Sequence, residues 1–235
     1  MATVYSNSSD GYVARFQQSS WSNARNNTAG TSVSSTTQGH YTGVSAYTAP
    51  TRGGGTSWSI YRSFFSFNTS GITDSVDSGA VLKVYGFSNT SGDLIAVKAT
   101  SDISSLGTAD FDSIVGWDNT TDGSGGGSNA GNVTKYSVGD AGGAIGEITS
   151  WSNSGYNDIT LNAQARTDMQ NDGTLYIALV NYDYDLLDID PSGSLDVKNG
   201  LYYQDSADAS RRPYIDYDTT AVATTQNSIF FGANF

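Results

Sequence analysis

Apolar residues in this chain recur mainly at every second position, and that period constrains the fold more than any other feature. Successive side chains of a strand point to opposite faces, so a two-residue period belongs to sheets and not to helices. Residues 11–16, 80–85, 94–99 and 157–161 are short runs of this kind bounded by Gly, Ser, Asn and Asp; in the second of them Leu82 and Val84 share one face. Residues 57–67 make a longer run rich in aromatics. Residues 175–180 contain few polar positions and read as a central strand covered on both faces. Residues 201–203 and 213–217 close the set, with Pro213 at the start of its run, where a missing N–H is tolerated. One helix is expected: Asn162 can cap it, Ala165 and Met169 fall four apart on one face, and Asn171-Asp172-Gly173 can stop it. The pattern predicts an all-β fold, a two-sheet antiparallel sandwich with one short helix.

A chain of 235 residues is long enough for one such sandwich to bury its own core. Residues 23–42 and 118–132 read as loops. The second is rich in glycine, but the segment after it looks extended, which argues for a surface loop and against a phosphate cradle. The net charge of −12, with only 11 Lys and Arg, leaves no basic footprint for nucleic acid or for an anionic membrane surface. It does favour divalent cations, chiefly calcium. The absence of cysteine excludes disulfides, Cys-ligated zinc and thiol catalysis. Apolar runs are too short for a bilayer, so no membrane insertion is expected. Residues 1–5 read as a strand, not as a signal peptide. The expectation is a protein working outside cells after loss of a leader, or a virion protein that needs none.

Arg62, Phe64, Phe65 and Phe67, then Asp77-Ser78-Gly79-Ala80-Val81-Leu82-Lys83-Val84-Tyr85, then Tyr156-Asn157-Asp158-Ile159-Thr160-Leu161, then Pro213-Tyr214-Ile215-Asp216-Tyr217 stand in an order that resembles the DNRLRE-type jelly-roll modules of secreted and surface proteins. These look like carbohydrate-binding modules, and the order is similar also to that of uncharacterised phage structural and tail-associated proteins. The resemblance spans residues 1–218. It implies two packed sheets with jelly-roll connections, no catalytic residues, glycan binding through aromatic faces or loops, and a structural calcium. No sugar-binding motif of the family matches residue by residue.

The residues themselves offer four kinds of site. A nucleophilic triad needs a base, and the single histidine, His40, sits in a Gly/Tyr/Thr loop and reads as solvated. A glycosidase needs two carboxylates; aspartates are plentiful and Glu147 is the single glutamate, but no pattern marks an acid of raised pKa. The stretch 181–191 carries Asp183, Asp185, Asp188 and Asp190 after the best central strand, so four carboxylates crowd one sheet end, where calcium would relieve their repulsion. Asp10 and Asp216 form a second calcium candidate, since the first and last strands of a jelly roll often meet. Trp21, Tyr41, Tyr47, Trp117, Trp151 and Tyr156 lie in or beside polar loops, where sugars could stack on them, whereas Trp58, Phe65 and Phe67 read as core.

Residues 219–235 are expected to be a polar spacer ending in a docking segment, with Ile229, Phe230, Phe231 and Phe235 contacting other subunits or a virion or surface scaffold. The functional expectation is a non-catalytic virion- or surface-associated protein that decorates a particle and attaches it to glycans. The alternatives are a carbohydrate-binding module of a secreted enzyme or adhesin, and a polysaccharide hydrolase.

Overall fold

The computed structural model describes residues 1–49, 54–120, 129–140, 146–191 and 193–221. The strands in chain order are β1 (Ala2–Tyr5), β2 (Gly11–Gln18), β3 (Ser32–Ser34), β4 (Gly39–Thr48), β5 (Thr56–Asn68), β6 (Ser75–Val76) and β7 (Val81–Asn89). They continue as β8 (Leu94–Lys98), β9 (Glu147–Ile148), β10 (Tyr156–Thr160), β11 (Thr174–Asn181), β12 (Leu195–Tyr202), β13 (Tyr214–Tyr217) and β14 (Thr219–Thr220). Among the described residues three α-helices accompany them: α1 (Trp21–Arg25), α2 (Asn129–Asn132) and α3 (Ala163–Asn171).

The fold is an all-β antiparallel sandwich. One layer is β1-β13-β7-β10, and the other is built on β2-β5-β11-β8. The layers are joined along one side, because β12 pairs with β7 on one edge and with β4 on the other, and β4 pairs with β5. Two long strands make this possible. The first half of β5 pairs with β4 and its second half with β11, while β7 is shared between β13 and β12. The sheet therefore folds over itself. β1 does meet β13, and pairing continues past residue 218 through β14 and β6.

Alternation places the core. Leu82, Val84, Ile159 and Ile215 of the first layer meet Phe65, Phe67, Leu175, Ile177 and Leu179 of the second, and α3 closes this space with Ala165 and Met169. The opposite face of the second layer carries Ile60, Phe64, Ile95, Val97, Ala178 and Val180, and a second core forms there. It is covered by Trp21 and Ala24 of α1 and by Ile103, Phe111, Ile114 and Leu186 from the irregular connections. β11 is thus buried on both faces, as its sequence predicts. The expected helix is α3, with the Asn162 side chain accepting from Ala165 N at 3.0 Å. The region expected as one loop, residues 23–42, instead contains most of α1, β3 and the start of β4. α1 is capped by Ser20 and held by what it buries, which a five-residue helix lacks the length to advertise as periodicity.

Candidate functional site

The acidic stretch after β11 does not bring its four carboxylates to one point. Asn181 caps a single wide turn over Tyr182–Leu186, in which Leu187 N bonds back to Tyr182 O. Asp185 points into the second core and takes two parallel hydrogen bonds from Arg62, at 2.8 and 2.7 Å. Both side chains are fully buried. The Arg62 guanidinium lies between the Phe111 ring, at 3.9 Å, and the Trp117 ring, at 4.1 Å. Arg25, also fully buried, donates to the Asp185 carbonyl at 2.8 Å and stands 3.3 Å from the Asp188 carboxylate. Asp188 accepts from Trp21 Nε1 at 2.8 Å, and Asp190 from Trp58 Nε1 at 3.0 Å. The expectation of one calcium site over these aspartates is thereby corrected: two buried arginines and two indoles already hold Asp185, Asp188 and Asp190. Desolvated charges persist only when paired in this way. Arg62 was the signal in the sequence, since it shares a strand face with Ile60 and Phe64 and so requires a buried carboxylate.

Asp183 turns the other way. It meets Asp93, just before β8, and Glu147 of β9, and one oxygen of each lies within 4.8 Å of the others. Burial first, and then the neighbouring carboxylates, hold Glu147 and Asp183 above the usual carboxylate range. Three half-buried acids of this kind can hold a hard cation such as calcium, with backbone carbonyls and water completing the shell. The other expected pair is not a cation site of this type. Asp216 accepts from Thr3 Oγ1 on the outer face, while Asp10 is buried and accepts from Ser6 Oγ and Gln204 N.

The six aromatic candidates divide by residue type. Trp21 and Trp151 are buried, and Trp117 packs on the second core against the arginines, so the tryptophans are structural and not platforms. Tyr41, Tyr47 and Tyr156 lie on the outer face of the folded sheet. Tyr41 and Tyr156 belong to a continuous stripe of rings: Tyr5, Tyr214, Tyr156, Tyr85, Tyr202, Phe87 and Tyr41, each 5.1 to 6.0 Å from the next. These rings come from β1, β13, β10, β7, β12 and β4. Tyr85 and Phe87 stand outward because they alternate with Leu82 and Val84. Tyr202 does so because it alternates with buried Leu201 and Tyr203. Tyr47 is 62% exposed and borders an open hollow of about 420 Å³ beside Lys198.

Three cations beside the stripe are each paired with an aspartate. Lys198 sits over the Tyr41 and Tyr61 rings and pairs with Asp196 at 2.6 Å. Arg211 sits over Tyr85 and Tyr202 and pairs with Asp208, and Lys83 pairs with Asp158. Burial, with Tyr214 and Tyr5 alongside, pushes the Tyr156 phenol up to about 12. His40 is not a solvated loop residue. It lies in β4, stacked on Tyr12 at 3.6 Å and tilted against Tyr61. Burial lowers its pKa, against a hydrogen bond with the Tyr41 carbonyl that raises it. No protein-family model and no curated protein matches this chain. The expected docking residues Ile229, Phe230, Phe231 and Phe235 lie outside the described residues.

Proposed function

We propose that this protein is a non-catalytic attachment module of a virion or cell surface, a jelly-roll-type sandwich whose aromatic outer face binds glycans and whose acidic cluster of Asp93, Glu147 and Asp183 holds a structural calcium. The contiguous stripe of rings carries the reading. Ordinary sheet surfaces scatter their aromatics singly, and a patch of linked rings marks an interaction site. Flat apolar faces bordered by hydroxyls suit sugars, which present C–H faces and polar edges. The wedging of His40 between tyrosines supports a binding role over triad chemistry, since a general base needs its ring nitrogen against a nucleophile. The polar surface and the jelly-roll resemblance support work outside cells, and the hydrophobic terminus supports docking to a scaffold or to other subunits.

The test is an array of immobilised glycans probed with the purified protein. The wild type is expected to bind a subset of them, and the double variant Tyr41→Ala/Tyr202→Ala to lose that binding by roughly tenfold or more while its melting temperature stays within a few degrees. A wild-type protein that binds no glycan, or a double variant that binds as well, overturns the reading.

A further inference from the structure

One place on the stripe is built differently from the rest. Phe87 of β7 lies across two glycines of neighbouring strands. A Cβ on Gly200 would stand 2.4 Å from the Phe87 ring, and one on Gly39 would stand 3.1 Å from it. The register puts Gly39 opposite Tyr202 and Gly200 opposite Tyr41, so both glycines occupy outward positions where any side chain would lift the ring. With these positions empty, the Phe87 ring packs down over both glycines and stays half-buried at the surface. Tyr41 and Tyr202 flank it edge-on, each inclined 62° to it, at 5.5 and 5.2 Å. An open trough of about 490 Å³ lies over Phe87 and Tyr202, and its remaining border is Thr36, Thr37, Gln38 and Gly39.

We infer that this trough is a subsite for one pyranose of a neutral, linear, equatorially linked glycan, with Phe87 as its stacking floor. The inference rests on the glycan reading above and narrows it to a site and a ligand class. The shape argument is the combination of an aromatic floor at Phe87, one aromatic wall at Tyr202, and a rim of hydroxyls and an amide. Such a site fits a ring with an apolar face and a polar circumference. Equatorial substituents are required, because an axial hydroxyl would hold the ring off the floor. The charge argument excludes acidic sugars. Arg211, which donates to the Tyr202 hydroxyl at the trough's wall, is paired with Asp208, so it presents no unmatched charge to a carboxylate. The molecule's net charge of −12 repels a polyanion at longer range.

The test is titration calorimetry of the full chain with a β-1,4-glucan hexasaccharide and with the β-1,4-glucuronan hexasaccharide of the same linkage. Two substitutions separate stacking from folding. Phe87→Leu keeps an apolar side chain over Gly39 and Gly200 but removes the flat face, and Phe87→Trp enlarges that face. The expected results are measurable binding of the neutral sugar only, a loss of roughly tenfold or more in Phe87→Leu at unchanged melting temperature, and retained affinity in Phe87→Trp. If the wild type binds glucan but Phe87→Leu binds it equally well, the subsite is overturned and the broader glycan reading stands. If glucuronan binds and glucan does not, the ligand class is overturned. If neither sugar binds while the array shows other glycans bound, the inference fails and the reading again survives; if the array is blank as well, both fail.

Discussion

At the scale of single residues, buried charge decides the chemistry. Asp10 is 1% exposed, and burial pushes its carboxyl up to about 7, against hydrogen bonds from Ser6 and Gln204 that pull it down; nearby Asp205 adds to the rise. The folded state therefore holds this proton more tightly than the unfolded chain, whose value is 3.8. The stability that Asp10 contributes is complete below the unfolded value and is lost as pH climbs to about 7, each unit being worth about 1.4 kcal/mol. Urea unfolding between pH 4 and pH 8 is expected to show stability falling with pH in the wild type. In Asp10→Asn, which keeps an acceptor for Gln204 N, that slope is expected to flatten; equal slopes would remove Asp10 as its cause. Arg62 and Asp185 show the opposite solution to burial, since two parallel bonds join the pair inside the core and two rings flank the guanidinium.

At the scale of elements, the pairing of β4 with β12 supports the whole outer face, because Tyr41, Lys198 and Tyr202 ride on it. Gly43 lies at its centre with φ of +141°. A Cβ there would come within 2.3 Å of the Val197 carbonyl oxygen, a backbone atom that cannot swing aside. Gly43→Ala is expected to cost on the order of 3 kcal/mol in urea unfolding, from backbone strain together with forced separation of the strands. Glycan binding should weaken with it, because the Lys198 stem packs directly against Gly43. An unchanged midpoint would mean that the two strands yield without cost. The elements were largely legible beforehand. β2, β5, β7, β8, β10, β11 and β13 fall on the expected runs, and α3 carries the expected cap. β4 escaped because Gly39, His40, Tyr41, Thr42 and Gly43 have the composition of a turn; their strand geometry is imposed by β5 and β12 on either side.

At the scale of the molecule, three distant segments supply Asp93, Glu147 and Asp183, so a cation bound there ties together the ends of β8, β9 and β11. A ligand that binds only the folded state stabilises it. Saturating EDTA is expected to lower the melting temperature by several degrees, and excess calcium to restore it. Asp183→Asn/Glu147→Gln should be stable without calcium and indifferent to EDTA, because its mutual repulsion is gone. A wild type equally indifferent to chelator and to calcium would dismiss the cation.

The sequence by itself determined that this chain forms strands, where most of them lie, that β11 is buried on both faces and that Asn162 caps the helix. Those properties are local: alternation and capping are written within a few residues. Only the tertiary structure decided which carboxylates are bound by arginine, which three acids gather at Asp183, and that Trp21 and Trp151 go inside while tyrosines and Phe87 form the outer stripe. The reason is distance along the chain. Trp21 meets Asp188 across 167 residues and Arg62 meets Asp185 across 123, and the period of a strand tells which residues share a face but not what will cover it.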